Sequence, residues 1–130
     1  MVKHKLTFEI LPTTLGVCKL SASQVVPLWA CQGEFFSVTK TTEELSIVCS
    51  EAVIPDEALC ERGWRALKIA GILDFSLVGI LSVVSEVLAN VGVSIFAIST
   101  YNTDYILVRD NDLDAAVKAL AGKGYTILKA

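Results

Sequence analysis

The chain has 130 residues, 53% of them hydrophobic and 19% charged, and carries a net charge of −3. That length accommodates one domain, or two half-sized units sharing a core. The acidic balance, with eleven Lys and Arg scattered rather than clustered, argues against a nucleic-acid surface.

The apolar fraction is high for a monomer of this size, so part of the surface is expected to be covered by a second copy. The first residues run into the alternating Leu6-Thr-Phe-Glu-Ile10 and not into a signal-peptide core. The longest uncharged run, residues 87–103, breaks at Gly92 into two differently periodic halves, which argues against a membrane span. A cytoplasmic protein is the expectation. Cys18, Cys31, Cys49 and Cys60 are too unevenly spaced for zinc-ligand pairs and read as reduced, mostly buried thiols.

In chain order, Leu6, Phe8 and Ile10 alternate with Thr7 and Glu9, predicting a strand. A second extended run covers residues 15–20. A short helix is predicted around residues 23–31, limited by Pro27, which has no place in a helix interior. Strands follow near residues 34–39 and 44–50. Residues 51–62, with Pro55, have room for a helical turn or a linker.

From Gly63 to Ala70 the chain reads as a strand, followed by a loop over residues 71–79. Ile80, Leu81, Val83, Val84, Val87, Leu88 and Val91 then recur at helical spacing, and Gly92 suits the left-handed position beyond a helix end. Strands at 93–100 and 105–110 flank a turn over residues 101–104. Asn111 or Asp112 is placed to cap a second helix striped by Leu113, Ala116, Val117 and Leu120. Gly122 and Gly124 end it, and residues 125–129 form a last strand.

The order of the second half is therefore βαββαβ, a split βαβ arrangement of antiparallel strands with both helices on one face. Strand 93–100 is apolar on both sides, so the face away from the helices has to meet the other unit, a second chain, or both. Residues 36–48 echo residues 96–108 without a gap, at an offset of 60, each with an acid at the turn, Glu44 or Asp104. Two copies of one small unit are expected, the first reduced, with the boundary placed between 1–61 and 62–130.

The βαββαβ order resembles the ACT domain, a small-molecule-sensing module, usually for amino acids, found in pairs. Gly63-Trp, residues 73–80 and residues 95–108 look like the tandem ACT proteins related to the cytosolic arginine sensors. Pro27-Leu-Trp29 and residues 37–49 do so in the first half, and the aspartate kinase regulatory region is similar at greater distance. The resemblance implies an α+β, ferredoxin-like ACT unit preceded by a reduced ACT-like unit, and a ligand pocket where ACT units meet. It implies that the lining comes from Asp74, Phe75, Ser76, Leu77, Val78, Gly79 and Ile80, together with Ser99, Thr100, Tyr101 and Asp104. The family's common Arg in the first-unit turn is Lys40 here, which weakens a charge role at that position.

The residues suit that chemistry. A loop opening directly onto a helix presents unpartnered N–H groups at the positive end of the dipole, a place for a carboxylate. Gly79 permits close approach to the backbone. Asp104, with Asp74, suits an ammonium group. Plainer roles fit the same residues: Ser76 as a helix cap, Asp104 accepting turn hydrogen bonds, Phe75 and Tyr101 as packing.

Catalysis finds no support, because the single histidine is His4 and no phosphate loop is present. The expectation is a non-enzymatic, homodimeric, amino-acid-binding regulatory protein without cofactor or metal. It would signal to an unknown protein partner, without nucleic acid or membrane. The alternative is a dimeric interaction module that has lost its ligand.

Overall fold

Alternating apolar residues build the strands of this chain. The computed structural model describes residues 6–70 and 79–129. Its strands are β1 (Thr7–Ile10), β2 (Leu15–Leu20), β3 (Ser37–Lys40), β4 (Leu45–Ser50), β5 (Cys60–Ile69), β6 (Phe96–Ser99), β7 (Asp104–Arg109) and β8 (Thr126–Lys129). Helices α1 (Ile80–Ala89) and α2 (Leu113–Gly122) complete it, with short 3-10 turns at Leu28–Cys31, Glu51–Val53 and Asp110–Asp112. These elements form two compact units, residues 13–64 and residues 1–12 with 65–130.

In the unit of residues 13–64 the strands lie in the order β3-β4-β2-β5. Strand β2 is antiparallel to both neighbours, with Cys18 opposite Ile47 on one side and Cys60 on the other. Cys18, Leu45, Ile47 and Cys49 project into a core closed by Ala30 and Ile54. The helix expected near residues 23–31 shortens to the 3-10 turn Leu28–Cys31, with Pro27 at its N-cap. Proline fixes its own φ and lacks the N–H that a longer helix would need. The guanidinium of Arg62 donates to the carbonyls of Glu51, Ile54 and Pro55, and Glu51 Oε1 accepts from the Gly63 N–H. Together these bonds hold the 51–55 segment to β5.

In the second unit the strand order is β6-β7-β5-β1-β8. Phe8, Ile10, Leu67, Ile69, Ile106 and Val108 form its inner face, against Val84, Val87 and Leu88 of α1 and Ala116 and Leu120 of α2. Ala66 and Leu107 are buried on the opposite face. Gly92 ends α1 at φ 75°, and the Val93 and Gly92 N–H groups return to Leu88 and Ala89 carbonyls. That is the helix termination read from the glycine. Asp112 stands at the N-cap of α2 without a side-chain capping bond.

The N-terminal strand departs from the expected division at 61/62. It is antiparallel to β5, with Phe8 opposite Ile69, and parallel to β8, with Phe8 opposite Ile127. Residues 1–12 therefore belong with residues 65–130, and the other border falls between Trp64 and Arg65, inside the continuous strand β5. Phe8 and Ile10 fill the core beneath α1 and α2, and that burial decides where the strand pairs. The unit keeps its α+β, ferredoxin-like character with β1 inserted between β5 and β8.

Candidate functional site

The β6–β7 hairpin closes on the pair Ser99 and Asp104. Within its turn, the Thr100 N–H donates to the Thr103 carbonyl at 2.8 Å. The Thr100 hydroxyl donates to the same oxygen at 3.0 Å and accepts from the Thr103 N–H at 3.3 Å. Such hydroxyl-closed turns satisfy the backbone groups that the ladder leaves open. Thr103 is itself buried, and its hydroxyl donates to the Ile69 carbonyl at 2.6 Å. The turn is thereby fastened to the end of β5.

The first-unit hairpin is closed by the same set of bonds. The Thr41 N–H donates to the Glu44 carbonyl at 2.9 Å, and the Glu44 N–H donates to Thr41 Oγ1 at 3.1 Å. Ser37 pairs with Val48 where Phe96 pairs with Leu107, so the two hairpins correspond at an offset of 59 (96 − 37). The offset of 60 read from the residues is one too many. A shift of one residue moves every side chain to the opposite face. At 59, Ile47 and Cys49 match Ile106 and Val108, all inward-facing. Glu44 then matches Thr103, and Asp104 matches the buried Leu45, so the acids at the two turns are not equivalents. Lys40, at the place of the family's Arg, donates through Nζ to the Ala22 carbonyl.

Helix α1 opens at Gly79, whose φ of 83° and ψ of 7° lie in the left-handed region, with no side-chain cap. The Gly79 carbonyl accepts the first helical bond, from Val83 at 2.9 Å. Among the described residues, nothing beyond its chain neighbours lies within 4 Å of where its Cβ would be.

Of the residues expected to line a ligand site, Gly79, Ser99 and Thr100 are exposed, and Asp104 is half-buried. Tyr101 is 83% exposed. Ile80 is buried in the core under α1. Asp74, Phe75, Ser76, Leu77 and Val78 lie outside the described residues. Thr103 was not among the expected site residues, although it anchors the turn. Its sequence signal was a threonine three residues after another in a turn, a spacing that Thr41 and Glu44 do not repeat in residue type.

All four cysteines lie in the unit of residues 13–64 as free thiols, with Cys18 and Cys49 buried and Cys31 exposed. Burial, reinforced by a hydrogen bond with Cys60, pushes the Cys18 thiol up to about 12. Burial also pushes Cys49 up to about 11. Both are held neutral and unreactive. Among the described residues, no group of three or more His, Cys, Asp or Glu is arranged to hold a metal ion. No helix among them is long and apolar enough to cross a membrane.

Comparisons with known proteins support the ACT-like fold. The ACT domain family model matches residues 59–122, and a second model, describing an N-terminal domain, matches residues 13–57. The chain is similar to a crystal structure of a protein from Agobacterium tumefaciens, with 38% identity and a TM-score of 0.93, covering 98% of this chain and 96% of that one. It is 31% identical over 99 residues to the human cytosolic arginine sensor for mTORC1 subunit 1, a match covering 68% of this chain. The match spans 30% of that protein's length. The regulatory subunit of aspartate kinase from Thermus thermophilus shares the fold, with 10% identity and a TM-score of 0.64 over 88% of this chain and 95% of that one.

Proposed function

The chain belongs to the ACT-domain family, and from that premise we propose that it is a homodimeric regulatory protein that binds an amino acid. The ligand rests against the entrance of α1 and the β6–β7 turn. Its carboxylate meets the first N–H groups of α1 beyond Gly79, and its ammonium meets Asp104. The relatives described above include a sensor and a regulatory subunit, which supports regulation and not catalysis.

One observation supports the reading. Thr103 ties the β6–β7 turn to Ile69 at 2.6 Å, at the end of the strand whose continuation leads to α1. In this reading the α1 entrance, the next described element along the chain, faces the same end of the sheet as the turn. Binding there biases whichever packing of the protein holds the ligand better, which is the basis of a regulatory response.

Thermal unfolding in the presence of each of the twenty amino acids tests the reading. A true ligand stabilises as RT ln(1 + [L]/Kd), about 2.7 kcal/mol at 100 times Kd. A flat panel favours the second reading, a protein-interaction module, for which the exposed Val25, Leu28 and Leu59 speak.

A further inference from the structure

A cavity of about 480 Å³ lies within the unit of residues 1–12 and 65–130, beside the first turns of α2 and the end of β8. It shares no lining residue with Gly79, Ile80 or the 99–104 turn. Its size falls in the range of small-molecule pockets. Ile10, Pro12, Leu113 and Val117 supply an apolar lining. Arg65, Lys118 and Lys129 bring three cations to it, against the single carboxylate of Asp114.

That excess is notable in a chain whose net charge is −3. The three cations differ in commitment. Arg65 is held by Asp110 at 3.4 Å and by the Leu11 carbonyl at 3.1 Å, and its side chain is 20% exposed. Its Nε is buried without a hydrogen-bond partner among the described residues. Lys118 and Lys129 have no carboxylate at ion-pair distance among those residues. A cavity with apolar walls and two uncommitted ammonium groups is matched by a molecule with an apolar body and one negative end. Asp114 opposes a second negative charge, so a dianion fits less well.

We propose that this cavity is a second ligand site, separate from the α1 entrance, which takes a small monocarboxylate bearing an apolar group. The apolar group lies against Ile10, Pro12, Leu113 and Val117, and the carboxylate pairs with Lys118 and Lys129. Nuclear magnetic resonance titration of the full chain tests it, with hexanoate, hydrocinnamate and phenylalanine as probes; hydrocinnamate is phenylalanine without its ammonium.

The two acids are expected to shift the Ile10, Leu113, Val117 and Lys118 signals, and hydrocinnamate is expected to bind more tightly than phenylalanine. The double variant Lys118→Gln/Lys129→Gln should keep the wild-type amide dispersion and weaken hydrocinnamate by about tenfold or more. Asp104→Ala should leave these shifts unchanged, which separates this site from the one proposed above. Three results overturn the proposal: no shift at these residues with either acid, equal affinity in the double variant, or phenylalanine binding more tightly than hydrocinnamate.

Discussion

The hydroxyl of Thr103 reaches the backbone carbonyl of Ile69 at 2.6 Å, joining a hairpin turn to a strand 34 residues earlier. Both groups are shielded from water, so the bond has no solvent substitute. Thr103→Val keeps the shape and orphans the carbonyl, an expected loss of about 1–3 kcal/mol. Urea denaturation should show a lower midpoint for Thr103→Val and a smaller change for Thr103→Ser. An unshifted midpoint for the valine variant would mean that this bond does not hold the turn.

Glycines 79 and 16 separate backbone strain from steric overlap. Gly79 has φ 83° with no atom within 4 Å of an added Cβ among the described residues beyond its chain neighbours, so Gly79→Ala is expected to act through the backbone, at about 1–2 kcal/mol. Gly16 has ordinary φ, but an added Cβ would overlap Ile54 Cδ1 and come within 2.8 Å of Cys60 Sγ. Gly16→Ala is expected to destabilise through the core of the 13–64 unit. Recovery by Ile54→Val, which clears the closer of those atoms, would establish the steric origin; wild-type stability of Gly16→Ala itself would dismiss it.

The thiols predict an alkaline weakness. Cys18 at about 12 and Cys49 at about 11 sit above the ordinary value of 9.0, chiefly through burial. Between pH 9 and pH 12 the folded chain therefore binds more protons than the unfolded chain, and stability falls as pH rises through that window. Below pH 9 both states hold these protons and the contribution is constant. Cys18→Ala/Cys49→Ala should flatten the alkaline slope measured by chemical denaturation. In the native wild type, a thiol reagent should modify Cys31 first, with Cys18 and Cys49 reacting only on unfolding.

Arg62 is expected to be a structural cation. It donates to three carbonyls, of Glu51, Ile54 and Pro55. Arg62→Ala leaves these acceptors to water and should cost about 2 kcal/mol. Arg62→Lys should recover only part of that, because one ammonium does not reproduce the planar fork. Equal stability of all three proteins in urea would reject this role.

Much of the architecture was legible because its causes are local. Ile80, Val84, Val87 and Leu88 announce α1 by spacing, and Gly92 announces its end. The hairpin at 96–109 follows from alternation around a turn of polar residues. The site was less legible. Ser99, Thr100 and Asp104 gather at one turn, while Ile80, a neighbour of Gly79, points into the core. Thr103 escaped notice because its importance comes from Ile69, which is distant along the chain.

The residue pattern on its own determined the elements: alternation, helical periodicity, and the glycines and prolines that end them act over a few positions. Tertiary structure alone decided two matters. Leu6, Phe8 and Ile10 make a strand in any setting, but only burial beneath α1 and α2 places it between β5 and β8. The correspondence of the hairpins at 59 and not 60 was settled by which side chains face each core. A one-residue slip leaves residue types nearly as similar and reverses every face, so similarity along the chain does not distinguish what packing does.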